Sequence, residues 1–224
     1  MIDQILPPGT VAAESFHDPA GLTLFPEEEA LVAAAVEKRR REFTTVRDCA
    51  RRALGALGLA PVPILRGVRG APIWPDGVVG SMTHCDGYRA AVLGRAEVFA
   101  GIGVDAEPHA PLPDGVLDLI ALPAERERLA GLRADHPELH VDRLLFSAKE
   151  SVYKVWFPLT GRWLDFGEAD IAIDAAAGGF VARLLVPGLT VGAAPVTELS
   201  GRFLVARGLV LTSITLPAPA AGLP

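Results

Sequence analysis

Between Glu42 and Gly58 apolar side chains recur every three or four positions, at Phe43, Val46, Ala50, Ala53, Leu54 and Leu57. That spacing places them on one stripe of a helix, with Arg47 and Arg51 beside the stripe. Upstream, Pro26 is followed by Glu27, Glu28 and Glu29. Proline suits the first helical position and carboxylates oppose the positive end of the helix dipole, so the helix is expected to start there and run on to Gly58. A second stripe, Val141, Leu144, Leu145, Ala148, Val152 and Val155, predicts a helix over 141–157 with Pro158 as its stop. Before it lies a helical region interrupted around Leu122-Pro123.

Elsewhere the pattern is that of strands and turns. From Pro61 to Gly80 proline and glycine are dense, and Trp74-Pro75-Asp76-Gly77 reads as a turn, so short strands are expected. Tyr88–Leu93 and Val98–Val104 predict two strands of a meander, the second ending on Asp105-Ala106-Glu107-Pro108. Proline closes that ladder. Ile171–Ile173, Phe180–Val186 and Leu204–Thr215 predict further strands. Residues 1–25, with turns at Pro7-Pro8-Gly9 and Asp18–Gly21, read as an arm laid on the body, and the tail LPAPAAGLP as disordered. The succession of helix, strands, helix, strands predicts an α+β fold of two similar halves, 1–104 and 105–224, although no sequence repeat marks them.

Composition narrows the partners. With 224 residues, half of them hydrophobic, the chain can bury one substantial core or two small ones. A net charge of -6 argues against nucleic acid and anionic membrane as partners, so an anionic ligand has to be met by a local basic cluster. The first fifteen residues lack the pattern of a secretory signal, no stretch is long and apolar enough to span a membrane, and the cytoplasm is the expected location. The two cysteines, Cys49 and Cys85, form no C-x-x-C pair and are expected as reduced thiols.

Candidate chemistry collects in few places. Asp105 and Glu107, two apart on a strand, point to the same side and offer two carboxylates to a hard cation, although an isolated D-x-E is more often a solvated pair. Glu150 and Lys154 share a helix face, away from the core stripe, with Lys149, Tyr153 and Trp156 flanking them. Taken alone they could equally be a surface pair. His84 lies in GSMTHC beside Cys85; a phosphate contact, a structural role and a nucleophile's partner are all open to it, but adjacent residues on a strand face opposite ways and no G-x-S-x-G elbow is present. Lys38-Arg39-Arg40-Arg41 is a local basic concentration that an anion could use.

GSMTHC at 80–85, GIGVDAEPH at 101–109 and FSAKESVYKVWFPLTGRWL at 146–164, with RRREFTTVRDCA upstream, together resemble the Sfp-type 4'-phosphopantetheinyl transferases, from about Pro26 to Leu216. The resemblance implies a monomer of two α/β subdomains related by a pseudo-two-fold, with the site at their join. It implies transfer of 4'-phosphopantetheine from coenzyme A to a serine of an acyl or peptidyl carrier protein, releasing adenosine 3',5'-bisphosphate. Asp105, Glu107 and Glu150 are then expected to hold Mg2+, for which Mn2+ can substitute, and Ala106 between them offers no ligand. Arg39, Arg47, Arg66 and His84 match the family's phosphate and adenylate contacts, with Thr83, Lys149 and Tyr153 adding to coenzyme A binding. Glu150 is expected as the general base and Lys154 at the leaving phosphate. Two other readings share these features: a metal-dependent pyrophosphate hydrolase and a coenzyme A binding module without catalysis.

Overall fold

The computed structural model describes residues 1–219; the last five residues of the tail, 220–224, lie outside them. In chain order the elements are β1 (Thr10–Ser15), α1 (Pro26–Ala30), α2 (Glu37–Ala56), β2 (Leu65–Arg66), β3 (Pro72–Ile73), β4 (Val78–Cys85), β5 (Tyr88–Arg95) and β6 (Phe99–Pro108). There follow α3 (Val116–Ile120), α4 (Pro123–Asp135), α5 (Val141–Thr160), β7 (Ala169–Asp174), β8 (Gly179–Leu184), β9 (Thr190–Val191), β10 (Ala194–Pro195), β11 (Glu198–Ala206) and β12 (Leu209–Pro217). Helices and sheets are mixed as an α+β fold requires.

Each long helix crosses an antiparallel sheet on its apolar stripe. The α2 stripe packs on a three-stranded sheet of order β1-β5-β4, where Ala50, Ala53 and Leu54 meet Ala91 and Leu93. The α5 stripe packs on a five-stranded sheet of order β6-β12-β11-β8-β7, and all six of its predicted residues are buried. A third cluster, with Tyr88, Ile102, Val104 and Leu211, fills the space between the sheets. There β4 and β6 run side by side in the same direction without a main-chain ladder. Instead the Val104 N–H donates to the Ser81 hydroxyl (3.1 Å) and the Ala106 N–H to the Thr83 hydroxyl (3.0 Å).

Several expectations need correcting. The expected N-terminal arm contains β1, which pairs with β5 from Thr10↔Gly94 to Ser15↔Arg89; its small side chains lack the bulky alternation that announces a strand. Consecutive strands β5 and β6 are not a meander but belong to different sheets, because the chain crosses over between them. Gly94 permits the crossing, since a Cβ there would lie 2.6 Å from the Phe99 ring. The expected single helix from Pro26 breaks into α1 and α2. Glu28 lies in the first turn of α1 as expected, but it is fully buried, accepting from the N–H groups of Phe25 (3.0 Å) and Ile64 (2.8 Å) and from Arg51 (2.9 Å). Pro158 does not stop α5, which continues to Thr160 and ends on Gly161 at φ +65°. Only one N–H is lost, close to the helix end, while Trp156 and Phe157 are held in the core. The expected strand 204–215 is the tip of a hairpin, turned by Arg207 and Gly208 with φ of 53° and 72°, the two left-handed residues of a type I′ turn. Residues 104 and 105, where the two halves are expected to meet, both lie in β6, whose ladder pairs among the described residues are with β12.

One contact sets the distance between α5 and β6. Gly101 and Gly103 face the helix, and a Cβ on Gly103 would lie 2.1 Å from the Ser151 carbonyl oxygen. Asp105 and Glu107 continue the same face of the strand. Gly103→Ala is therefore expected to destabilise the fold by ~3 kcal/mol or more, as a fall in the urea midpoint, because a backbone atom cannot rotate away. Gly131→Ala, in open space on α4, is expected to raise stability by ~0.5–1 kcal/mol in the same assay.

Candidate active site

Along α5, Arg143, Ser147, Glu150 and Lys154 follow the i, i+4, i+7, i+11 rhythm of one helix face, and that face lies over the end of β6. Asp105 is its fixed point, only 5% exposed. One carboxylate oxygen accepts from the Lys154 ammonium (2.8 Å) and the Thr83 hydroxyl (3.3 Å), and the other from the Ser147 hydroxyl (2.9 Å). Lys154 donates also to the Val104 carbonyl (3.0 Å), and Ser147 is tied to Thr212 (2.9 Å). Glu107 accepts from Arg143 (2.8 Å). Glu150 makes no hydrogen bond or ion pair among the described residues.

Asp105 and Glu107 at the end of β6 and Glu150 in the middle of α5 repel each other. Burial raises the pKa of both Glu107 and Glu150, and the charge of Asp105 raises each further; Arg143 and Lys154 oppose this at Glu107, and Lys154 opposes it at Glu150. The donors are all hard oxygens, the type that magnesium takes, and Glu150 keeps both oxygens unspent. As placed, no three Asp, Glu, His or Cys groups among the described residues converge on a single cation position.

The other end of the site is basic. A cavity of about 330 Å³ is lined by Arg39 and Arg47 from α2, Arg66 from β2, Arg69 from the turn before β3, Thr83 and His84 from β4, Asp105 from β6, and Glu150, Tyr153 and Lys154 from α5. Arg47 is 6% exposed and forms no hydrogen bond or ion pair among the described residues; its Nε is buried without a partner. Its guanidinium lies on the Phe43 ring, 3.6 Å from the centroid, and Arg66 approaches the same ring at 5.1 Å. Burial, then the charge of Arg66, lowers the Arg47 pKa to about 10, which leaves it cationic at neutral pH. A buried cation without a counter-ion is costly unless an anion arrives to pair with it. His84 at the rim contacts Arg39 through Nε2, and burial, then the Arg39 charge, holds its imidazole below its usual pKa. The ring therefore meets Arg39 as a neutral acceptor.

Two flanking residues of the α5 face lie elsewhere. Lys149 is buried, pairs with Glu125 (2.9 Å) and donates to the carbonyls of Phe166 and Ala169 (2.7 Å each). It borders a smaller cavity of about 130 Å³, shared with Glu150, Tyr153 and Trp163, rather than the main one. Trp156, expected beside the Glu150–Lys154 pair, is a core residue whose indole donates to the Arg162 carbonyl (2.9 Å). Its helix position falls next to the Val152 and Val155 stripe.

The family follows from two adjoining matches. A profile of the 4'-phosphopantetheinyl transferase N-terminal domain matches residues 27–94, and one of the 4'-phosphopantetheinyl transferase superfamily matches residues 101–193. The chain belongs to the 4'-phosphopantetheinyl transferase superfamily. It is 58% identical to 4'-phosphopantetheinyl transferase Svp of Streptomyces mobaraensis, over 98% of this chain and 91% of that protein. Identity to 4'-phosphopantetheinyl transferase PptT of Mycobacterium tuberculosis is 55%, over 91% of each. Identity to 4'-phosphopantetheinyl transferase Npt of Nocardia iowensis is 53%, over 96% of this chain and 99% of that protein. The protein is thus a 4'-phosphopantetheinyl transferase, and among its described residues no helix is long and apolar enough to cross a membrane.

Sequence reasoning about this transferase missed Arg69, Ser147 and Arg143. Arg69 sits in a glycine-flanked turn at φ +54° and lies 5.0 Å from the Trp163 ring centroid; no periodicity points to it. The helical spacing 143, 147, 150, 154 was available as a signal for the other two.

Two expectations follow for the site. Arg47→Met removes an unpaired buried charge that its arginine neighbours repel, so it is expected to raise stability by ~1 kcal/mol in denaturant titration. Burial, then Glu107 and Asp105, pushes the Cys85 thiol up to about 12, so at pH 8 it stays protonated. Iodoacetamide is expected to label Cys85 far more slowly than free cysteine, and Cys85→Ala is expected to keep transferase activity.

Proposed function

We propose that this transferase moves 4'-phosphopantetheine from coenzyme A to a serine hydroxyl of an acyl or peptidyl carrier protein, releasing adenosine 3',5'-bisphosphate. One observation carries the reading: the buried, unpaired Arg47 among three further arginines, in a cavity whose opposite wall presents Glu150 and Lys154. Coenzyme A bears several phosphate charges, and such a cluster supplies their counter-charge within a protein of net charge -6. Arg39, Arg47, Arg66 and His84 are assigned to its phosphates and adenylate. The Thr83 hydroxyl is already shared between Asp105 and the Ala106 N–H, so Thr83 shapes the site more than it binds. The buried Tyr153 hydroxyl has no hydrogen-bond partner among the described residues and is assigned to the pantetheine side. Lys149, with its ammonium fully engaged, is assigned to holding α5 on the loop after it.

Asp105, Glu107 and Glu150 would hold a magnesium ion, and manganese would also suit; when bound, such an ion neutralises pyrophosphate charge. The protein's own groups do the rest. The acceptor serine oxygen forms a bond to the β-phosphorus as the bond to the adenosine bisphosphate oxygen breaks. Glu150 takes the serine proton, a task for which its raised pKa suits it. Lys154, placed on Asp105 at the wall of the cavity, stabilises the leaving phosphate. The two helix-on-sheet units, meeting in the crossover near residue 98, are read as the halves of a pseudo-two-fold arrangement, with the site at their join.

Incubation with coenzyme A, magnesium and an apo carrier protein is expected to give a carrier heavier by one phosphopantetheine in mass spectrometry, and chelator is expected to prevent it. Coenzyme A breakdown without an acceptor would favour a hydrolase, and binding without any product a passive module. Glu150→Gln is expected to cut the transfer rate at least ~100-fold with the fold intact. Near-normal turnover would remove Glu150 as the base. Arg47→Met is expected to weaken coenzyme A at least ~10-fold by calorimetry, despite its greater stability.

A further inference from the structure

The first turn of α5 is fastened to the segment that follows β6. Arg143, half-buried, spends its whole guanidinium there: Nη1 donates to the Glu107 carboxylate (2.8 Å), Nε to the Ala110 carbonyl (3.1 Å) and Nη2 to the Pro111 carbonyl (2.8 Å). Its neighbour Asp142 accepts the Leu112 N–H (2.9 Å). Planarity of the guanidinium fixes the directions of these bonds together, so the two carbonyls orient the group that meets Glu107. The Arg143 bond engages one oxygen, Oε2, and leaves Oε1 without a hydrogen bond among the described residues. Seven residues on, two helical turns away on the same face, stands Glu150.

We infer that Arg143 is a positioning residue: by holding one oxygen of Glu107 it fixes that carboxylate at the end of the face shared with Asp105 and Glu150, so that cation binding at these carboxylates depends on a guanidinium outside the cavity. The inference rests on the three-carboxylate reading given above. Glu107 does not line the cavity, and it is Arg143, bonded to one oxygen of that carboxylate, that restrains its rotation. Outer partners of this kind commonly change metal affinity by 10- to 100-fold when lost.

Mn2+ binding, read from the electron paramagnetic resonance signal of free Mn2+ with coenzyme A present, tests this on four variants. Glu107→Gln and Arg143→Met are each expected to raise the Mn2+ dissociation constant ~10-fold. Arg143→Lys, which restores a charge but not the fork, is expected to fall between Arg143→Met and the parent protein. Asp142→Ala loosens the same segment without touching Glu107 and is expected to bind Mn2+ like the parent protein. In transfer assays Arg143→Met is expected to raise the metal concentration for half-maximal rate while kcat at saturating Mn2+ stays within ~3-fold. Parent-like Mn2+ binding by Arg143→Met, with Glu107→Gln weakened, would overturn the inference alone. So would equal weakening by Asp142→Ala, which would make Arg143 a tether only. Unchanged binding by Glu107→Gln would bring down the three-carboxylate reading and the inference with it. Thermal melting of each variant verifies folding; if Arg143→Met does not fold, Arg143→Gln, which keeps a donor for a segment carbonyl, takes its place with the same expectations.

Discussion

Helix α5 can lie against strand β6 only because position 103 has no side chain. With a Cβ there the Ser151 carbonyl would be 2.1 Å away, so any larger residue would lift the helix from the strand. Everything chemical in the protein is measured from that contact. Because the backbones touch, Ser147 reaches one oxygen of Asp105 and Lys154 the other, while Arg143 reaches Glu107 two residues further along the strand. The sequence G-x-G-x-D-x-E thus encodes a bearing surface and a set of acids on a single face, and the helix is drawn close by the first half to meet the second.

Charge is arranged with the same economy of elements. Four guanidiniums come from α2 and the 65–73 segment, and the carboxylates come from α5 and β6, so a single cavity has a basic wall and an acidic one. The net charge of -6 says nothing of this. Within a few ångströms, where screening by salt is weak, the local groups decide what is attracted. Mutual repulsion among the arginines and among the acids is a stability cost that a bound phosphate or cation offsets, which is the ordinary bargain of a binding site.

Much of this was legible beforehand because periodicity reports burial. All six residues of the 141–155 stripe are in the core, and the α2 stripe meets its sheet as expected. Arg39, Arg47, Arg66, Thr83, His84, Asp105, Glu150, Tyr153 and Lys154 do gather around one cavity. What the sequence concealed has a common cause. Lys149 and Glu28 are decided by partners far along the chain, Phe166 and Ala169 for the first and Ile64 for the second, which no local pattern can reveal, whereas Trp156, one helical turn after Val152, could have been read from the stripe itself. The crossover between β5 and β6 was hidden for a similar reason, since two adjacent strand signals say nothing about which sheet each joins.

The seam between the sheets has a mechanical meaning. Where β4 passes β6, two serine and threonine hydroxyls replace the main-chain ladder that would otherwise weld the sheets into one. Each such bond contributes only ~1 kcal/mol, and a hydroxyl can rotate to keep its hold as the strands shift, whereas a ladder slips only by whole registers. The walls of the cavity stand on opposite sides of this seam. Its width is therefore set without a main-chain ladder, by these hydroxyls and the apolar cluster of Tyr88, Ile102 and Val104 packed between the sheets, so a change at Ser81 or Thr83 acts on the spacing of both walls at once.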